Sequence, residues 1–449
     1  MKKLGFSYIL MGVMLSVTPY ILYGGWIFTY GGADNDLGQS VCESADGGFV
    51  ATGQTGENLL LTKTNSSGDL VWNHSYPEMS GTFINAIDGG GYIITGSKDD
   101  QWLGQTLFIM KTNSEGDSQW VKIHGKQDEK GCEGNSILAI ENGYLITGIN
   151  GSGKLWILKT DSEGELIWEK EYGVQGHGYS IREVSKNRYV ITGELKLGEE
   201  REDLCLLKID ENGDTIWVKT YGISGDYEHG HSVEPTGDGG FFVAGEYGSD
   251  TWLLKTDSEG DTLWSKVDNS GRTYQLVETS DGNYVLAGRR YTGTNKLDML
   301  ILKVDGNGNK MWQKTYGGSN DDIGYSVYKA SQGGYIFTGQ TRSFGDGSYD
   351  LWMIRTNSAG DTSWICENPP GLSDWDFATT VGSALTFRYR NKPEGFFAKV
   401  YDASGSIVDR IYNRSASGVI TWGEGYDSGV YFIVPIGCEF KPQKVILVR

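Results

Sequence analysis

Eight tryptophans, Trp26, Trp72, Trp120, Trp168, Trp217, Trp264, Trp312 and Trp364, recur at intervals of 46, 48, 48, 49, 47, 48 and 52 residues, so seven units lie between the first and the last. A fixed period of this size marks a repeat architecture in which each unit is one supersecondary element that must stack on its neighbours to bury a core. It also bears on function. Catalysis needs one unique constellation of groups, whereas seven near-copies of a unit suit a scaffold that displays loops.

Each unit repeats one internal order. The fifth reads Trp217-Val-Lys-Thr-Tyr-Gly, a variable stretch, Gly-His-Ser-Val, Gly-Asp-Gly-Gly, Phe-Phe-Val-Ala-Gly, a second variable stretch, Asp-Thr-Trp-Leu-Leu-Lys-Thr, Asp-Ser-Glu-Gly-Asp and Thr-Leu-Trp264. Short runs rich in Val, Ile, Leu, Thr, Tyr and Trp, bounded by turn residues, predict strands. Beyond the N-terminus no stretch carries apolar residues at helical spacing over three turns. The expected fold is all-β, with four strands in each of seven units.

Two turns recur in every unit. One joins the third and fourth strands: Asn65–Gly68, Asn113–Gly116, Asp161–Gly164, Asp210–Gly213, Asp257–Gly260, Asp305–Gly308 and Asn357–Gly360. An Asx side chain accepts a hydrogen bond from the backbone two positions on, and a Gly three positions later supplies the positive φ of a type I turn with a bulge. The other, as in Ala45-Asp-Gly-Gly-Phe49, joins the first and second strands and is always followed by an aromatic: Phe49, Tyr92, Tyr144, Tyr189, Phe241, Tyr284 or Tyr335. Asp305-Gly-Asn307-Gly-Asn309 resembles the start of a calcium loop, but an EF-hand needs a Glu at its twelfth position and flanking helices. Plain hairpin turns account for these residues.

If the strands form an antiparallel meander, the two tight turns fall on one face of the molecule and the two variable connections on the other. The second connection is short around Gly148–Lys154 and long around Glu194–Asp203 and Gln340–Asp350. Loops that vary on a rigid scaffold are where binding resides. Four-stranded units arranged radially around a channel make a β-propeller, here seven-bladed over residues 24–366, with the first strand of each blade innermost. Trp26-Ile-Phe-Thr-Tyr-Gly31 matches the repeat better than Trp364-Ile-Cys-Glu, so the N-terminal strand is expected to complete the last blade as a clasp. An open β-solenoid is the alternative, although its repeats are usually shorter.

The turn-and-strand segment with Asp257, Gly260 and Trp264 resembles the tryptophan-docking repeats of quinoprotein-type propellers. That resemblance implies a packing role, each Trp wedging against the neighbouring blade and burying about 200 Å². The adjacent cysteine pair and calcium ligands of the quinoprotein dehydrogenases are absent, so no redox chemistry follows and no cofactor is expected.

A net charge of −19 argues against nucleic-acid binding, which calls for a basic stripe. It equally disfavours docking on anionic membrane. Residues 1–23, with Lys2-Lys3 ahead of the apolar Leu4–Val17, read as a signal peptide or N-terminal anchor, and no other segment is apolar enough to span a membrane. Five cysteines, Cys42, Cys132, Cys205, Cys366 and Cys438, have no metal-ligand spacing. Cys42 and Cys205 read as buried thiols, and only Cys366 and Cys438 are placed to bridge.

After Trp364 the repeat stops. Residues 367–373, with Asn368-Pro-Pro-Gly371, read as a linker. Residues 372–449 carry nine basic and eight acidic side chains, leaving −20 on the rest of the chain, a shift that marks a separate domain over 374–449. Its six apolar runs, from Ala384–Tyr389 to Lys444–Val448, predict a small β-sandwich. Val400-Tyr-Asp402 with Gly405, Thr421-Trp422, Ser428-Gly429-Val430-Tyr431-Phe432 and a terminal Lys444-Val-Ile-Leu-Val-Arg449 resemble the C-terminal sorting domain of type IX secretion cargo, and the related domain of flagellar hook-capping proteins. The resemblance covers about the last 70 residues. It implies passage across the outer membrane through the secretion machinery, and a secreted or surface location. Gly423-Glu424 replaces the Asp-Gly that usually follows the Trp.

No G-x-S-x-G, H-E-x-x-H or phosphate loop occurs. Asp226, Glu228, His229 and His231 gather several ligand types on one variable-face loop, a weak candidate metal site. No cofactor is expected, with calcium a weak candidate. Acid pairs such as Asp34/Asp36, Glu199/Glu200 and Asp321/Asp322 would serve glycoside hydrolysis if two met about 5–10 Å apart. A basic residue ends the third strand of every unit (Lys63, Lys111, Lys159, Lys208, Lys255, Lys303 and Arg355), where pairing with the nearby Asx turns is expected. Two positions before the apolar residue of the first strand stand Gln39, Asn135, Tyr179, His231 and Tyr325, with Tyr274 nearby in the sixth unit. If that strand is innermost, these side chains ring the channel mouth and suit sugars or peptide segments. The sequence thus points to an exported, non-enzymatic scaffold binding a glycan, protein or cation through its variable face. An extracellular hydrolase or lyase with an acidic channel mouth, and a purely structural envelope component, are the competing readings.

Overall fold

The structure, a computed structural model, describes residues 25–362 apart from 101–103, 126–130, 198–202, 223–227, 294–295 and 346–347, and then 375–377, 381–382, 385–389, 396–402, 406–415, 418–435 and 443–447. The expected leader 1–23, Trp364, the linker 367–373, Asp226, the Glu199/Glu200 pair and both Cys366 and Cys438 lie outside these residues.

Seven four-stranded antiparallel sheets follow one another as blades 1 to 7, and their strands succeed one another in chain order in blades 1 to 6. The first strands are Asp36–Glu43, Met79–Ala86, Glu133–Ile140, Gln175–Ser185, Glu228–Pro235, Arg272–Glu278 and Asp322–Lys329. Each touches the first strand of the next blade, and Asp322–Lys329 touches Asp36–Glu43, so the ring closes. Among the described residues every regular element is a strand, and no helix is long and apolar enough to cross a membrane.

Blade 7 draws on distant parts of the chain. Trp26–Tyr30 pairs antiparallel with Asp350–Thr356, from Trp26 opposite Arg355 to Tyr30 opposite Leu351, and so supplies the fourth strand. This is the clasp that the sequence predicts, and no open stack remains.

The core lies between blades. One cluster joins Cys42, Val50, Leu59 and Leu61 of blade 1 to Met79, Ile84, Tyr92, Ile94, Phe108 and Met110 of blade 2. Middle strands such as Asn58–Thr64 are buried on both faces, whereas outer strands such as Leu70–Tyr76 alternate between exposed and half-buried. Burial pushes the Cys42 thiol up to about 12, and Cys205 is raised further for the same reason.

Seven equivalent joints lock the tight-turn face. In each 3–4 turn the Asx side chain accepts from the backbone N–H two and four positions on, as Asn65 Oδ1 does from Ser67 and Asp69, both at 2.9 Å. Asp305 spends its carboxylate the same way on Asn307 and Asn309. The turn glycine has positive φ, +76° at Gly213, and the Trp of the preceding blade packs against it. A Cβ built on Gly213 would lie 2.8 Å from the Trp168 ring. Four residues after the Trp, in five of the seven joints, a tyrosine hydroxyl donates to that glycine's carbonyl, as Tyr172 does to Gly213 at 2.6 Å, Tyr221 to Gly260 at 2.5 Å and Tyr316 to Gly360 at 2.5 Å; His124 and Asp268 hold the position in the other two. The clasp repeats the joint, with Tyr30 donating to Gly68 at 2.6 Å and Trp26 Nε1 to Ser66 at 3.0 Å.

The basic row meets its expectation in part: Lys159 and Lys208 donate to the backbone carbonyls of Glu211 and Ser258 in the next blade's Asx turn, at 3.1 and 3.3 Å, whereas four others turn elsewhere. Lys63, Lys255 and Lys303 pair with Asp46, Asp238 and Asp281 of the 1–2 turn in their own blades, at 2.7, 2.8 and 3.0 Å. Arg355 instead donates to the backbone carbonyls of Gly333, Tyr335 and Thr356. The third strand ends beside the 1–2 turn, so its carboxylate is nearer than those of the Asx turn.

Beyond the propeller, a three-stranded and a five-stranded sheet share one core of Leu385, Phe387, Phe396, Ala398, Val400, Ile411, Trp422, Tyr431 and Ile433. Two sheets closed on a common core form a small sandwich. Two short strands, Trp375–Phe377 and Val381–Gly382, were not legible in the apolar runs. Gly429–Pro435 pairs with Gln443–Leu447, placing Phe432 opposite Lys444. Lys399 of this unit sits 3.2 Å from Asp69 and over the Phe28 ring at 4.3 Å, on the tight-turn face of the propeller.

Candidate functional site

The innermost strands all bend at one place. In blade 1, Gly38 pairs with Gly53 and Ser40 with Thr52, which leaves Gln39 as the extra residue of a β-bulge. The same shift isolates Thr82, Asn135, Tyr179, His231, Tyr274 and Tyr325 in blades 2 to 7. A bulge takes one residue out of the ladder and re-aims its side chain. Here it turns seven side chains toward the axis.

Two features of the sequence set the bulge. The glycine before it allows close approach to the preceding blade: a Cβ on Gly178 would lie 2.0 Å from Thr147 Oγ1. The serine after it accepts the N–H of a neighbouring blade, as Ser326 Oγ does from Val41 at 3.2 Å and Ser232 Oγ from Leu276 at 3.3 Å. In blade 6 Gln275 does the same for Val327 at 2.9 Å.

All seven bulged residues line one cavity of about 620 Å³. The six positions predicted from sequence therefore share a single site, and Thr82, which the pattern had left out, completes the ring. Other walls come from the variable connections, including Gln54, Glu57, Glu78, Asp99 and Gln105. None of the tight-turn residues contributes.

The cavity has two unlike halves. Across blades 4 to 7 runs an arc of rings: His177 stacks on Tyr179 at 4.4 Å, Tyr179 meets His231 at 5.3 Å, and Tyr274 lies 5.4 Å from both His231 and Tyr325. Across blades 1 to 3 the lining is amide and carboxylate, with Gln39, Gln54, Gln105, Asn135, Glu57, Glu78, Asp99 and Glu133. Asn135 Nδ2 donates to Gly178 at 3.1 Å and meets His177 Nε2 at 2.5 Å, joining the halves on one side.

Behind the arc is a charged network that sequence reasoning had only partly found. His229 Nε2 lies 2.9 Å from Glu194, and His229 Nδ1 lies 3.5 Å from Glu246 Oε1. His231 Nε2 is 3.2 Å and Arg272 Nε 2.6 Å from Glu246 Oε2. Neither contact on Oε2 is aligned as a hydrogen bond, so they hold by charge. Burial favours the neutral acids, but His229 beside Glu194, and His231, Arg272 and His229 beside Glu246, outweigh it and hold both carboxyls below their usual range. Burial likewise opposes charge on His229, yet Glu194 and Glu246 carry its pKa above the ordinary value. Burial dominates elsewhere, pushing His177 down to about 4 and raising Glu133.

Glu228 does not join His229 and His231. Residues 228–231 are strand rather than loop, and Glu228 pairs with Tyr247 while His229 pairs with Glu246, so consecutive side chains leave opposite faces. The acid that meets both histidines is Glu246, from the second strand. The signal for it was available: Glu194 and Glu246 directly follow the Gly of the Thr-Gly or Ala-Gly pair and are register partners of His177 and His229.

Among the acid pairs noted in the sequence, Asp36, Asp321 and Asp322 serve the loops. Asp36 accepts from Gly32 N–H at 2.7 Å, and Asp322 from Gly318 N–H at 2.8 Å and the Ser343 hydroxyl at 2.7 Å, while Asp321 accepts from Leu297 N–H at 2.9 Å.

No family model matches the chain, and no curated protein does. Among solved structures, the WD40 β-propeller domain of Doa1 superposes with a TM-score of 0.52 at 15% identity, covering 73% of this chain and 95% of that one. The Dos1 propeller gives 0.46 at 11% identity, over 75% and 96%. PorZ, a surface component of the type IX secretion system of Porphyromonas gingivalis, gives 0.42 at 10% identity, over 94% of this chain and 60% of PorZ. At these identities the likeness is one of architecture, and the chain is an all-β protein built on a seven-bladed β-propeller with a small C-terminal sandwich.

Proposed function

We propose that this chain is a secreted or surface-held, non-enzymatic scaffold that binds a segment of glycan in its axial cavity. The observation that carries the reading is the convergence of seven bulged side chains on one cavity, with rings along one half and amides and acids along the other. A sugar ring presents apolar C–H faces and a rim of hydroxyls. The aromatic arc matches the faces, and Gln39, Gln54, Gln105 and Asn135 match the rim. A volume of about 620 Å³ is within the range of ligand pockets.

The competing hydrolase reading needs a protonated acid opposite a second carboxylate. Glu194 and Glu246 are held ionised by their neighbours, and Glu133, raised by burial, is the cavity acid on which a hydrolase would depend. The ring of one bulged side chain from every blade favours binding. Export through the C-terminal sandwich is part of the same proposal, supported by the sorting-like Ser428–Phe432 segment running into a strand that pairs with Lys444.

A glycan array probed with the full chain tests the cavity. Binding to a defined subset is expected, with Tyr179→Ala and Tyr325→Ala each weakening affinity at least tenfold, about 1.4 kcal/mol, while thermal unfolding is retained. Undiminished binding by both variants would remove the cavity from the reading, and turnover of any arrayed glycan would replace the scaffold with an enzyme. Deleting residues 374–449 in a host with type IX secretion should leave the propeller inside the cell envelope; unchanged export would end the sorting assignment.

A further inference from the structure

We propose that His229, His231 and Glu246 form a binding site for a transition-metal dication of the Zn²⁺ class, with Glu194 as the residue that positions His229. The proposal does not rest on what occupies the cavity, although His231 belongs to both.

The spacing fits. Tetrahedral coordination with bonds of about 2.0–2.1 Å separates ligand atoms by roughly 3.3 Å. His231 Nε2 stands 3.2 Å from one oxygen of Glu246, Oε2, and His229 Nδ1 stands 3.5 Å from the other, Oε1, so the carboxylate reaches both imidazoles at about that separation. Donor atoms of all three residues fall within 4.8 Å of one another. Two imidazoles and one carboxylate select zinc, copper or nickel over calcium or magnesium, which prefer oxygen alone.

The surroundings are arranged as a supporting shell. Glu194 takes the far nitrogen of His229, Nε2, at 2.9 Å, which leaves Nδ1 for the ion, as carboxylates do behind metal-bound histidines. Tyr179 lies nearly parallel to the His229 ring at 6.3 Å, and Tyr274 meets the His231 ring edge-on at 5.4 Å, so both ring planes are fixed. Glu246 is only 6% exposed, and neither its Oε2 nor His231 Nε2 has a hydrogen-bond partner. Both atoms have ion-pair neighbours only, Oε2 facing Arg272 at 2.6 Å and His231 at 3.2 Å, and buried polar atoms short of hydrogen bonds call for an explanation that a shared cation would supply. Three protein ligands leave one position open, and His231 lines the cavity.

Arg272 gives the proposal its sharpest test. Its guanidinium, 2.6 Å from Glu246 Oε2, opposes a dication, so replacing it must strengthen metal binding, whereas adventitious histidine binding would be indifferent. The full chain is stripped with chelator and titrated with Zn²⁺ by calorimetry and with Co²⁺ by visible absorption. Saturable one-to-one uptake is expected, with an intense Co²⁺ band of low-coordinate geometry. His231→Gln should abolish the band, Glu194→Gln should weaken affinity about tenfold, and Arg272→Met should tighten it severalfold. No saturable uptake, or uptake unchanged by His231→Gln, would overturn the site. Should His231→Gln fail to fold, Arg272→Met decides: an unaltered affinity overturns the assignment. Because no glycan enters the titration, its failure leaves the glycan reading untouched, and the reverse holds as well.

Discussion

The two faces of this propeller come from the same repeat and treat it in opposite ways. On the tight-turn face the Trp and Gly of each joint recur around the ring, clasp included, and the Tyr recurs in five of seven, with His124 and Asp268 in the others. On the variable face the backbone device is just as regular, one bulge per blade, yet its seven residues are Gln39, Thr82, Asn135, Tyr179, His231, Tyr274 and Tyr325. Geometry is held constant on both faces and chemistry only on one. A position that must lock a blade to its neighbour tolerates one solution, while a position that faces the axis is free of that constraint.

The contrast can be broken most forcefully at the clasp. Trp26→Ala removes the ring that closes blade 7 and should cost about 3–5 kcal/mol in equilibrium guanidinium unfolding. A loss below about 1 kcal/mol would mean that the ring does not depend on its closure. Next come two glycines with similar φ. Gly213, at +76°, faces the Trp168 ring, whereas Gly248, at +61° on the variable face, has open space around it. Gly213→Ala should cost overpacking of about 1–3 kcal/mol beyond the backbone strain that both variants share. Equal melting shifts would show that the tight-turn face is no better packed. Smaller still, Tyr172→Phe forfeits one hydrogen bond to Gly213, about 1 kcal/mol, while Gln39→Ala on the other face should change stability by less than about 0.5 kcal/mol.

Acidity separates the faces with opposite signs and the smallest energies. Asp46, beside Lys63 and its own turn, is held down to about 2, so its contribution is full above about pH 4 and fades as pH falls toward 2. Its side chain is 58% exposed, which keeps the effect of Asp46→Asn under about 1 kcal/mol. His229 has a raised pKa, so its contribution is complete below about pH 6.5 and disappears as pH rises through the folded value. Measured from pH 2 to 9, the penalty for Asp46→Asn should shrink toward the acid end and that for His229→Gln toward the alkaline end. Parallel profiles would refute the charge assignments on one face.

The sequence made the architecture readable because turns and joints consume specific residue types at fixed spacing. Gly for positive φ, Asx for the turn and Trp for the wedge leave a periodic imprint, and the clasp was visible because Trp26 to Gly31 carries it. The channel ring was readable too, since Gly-x-Ser before Val or Ile marks five of the seven bulges; blade 6 has Thr273-Tyr274-Gln275 instead, and Thr82 escaped because its blade has Phe83 in place of the Ser. What stayed hidden depends on register between strands. Glu246 meets His229 and His231 only because Gly245 pairs with Gly230, and Lys63 finds Asp46 rather than the Asx turn for the same kind of reason. Along the chain these partners are separated by the lengths of hairpins, and no local pattern joins them.

Because Trp26 pairs with Arg355 and Tyr30 with Leu351, the chain enters the ring at Gly25 and leaves it at Thr362 side by side, and Lys399 rests on Asp69 nearby. Entry, exit and appended sandwich all sit beneath the toroid, on the side away from its mouth. Anything that holds this molecule by either end, a cell envelope or a larger assembly, would carry it like a cup on its base, opening outward.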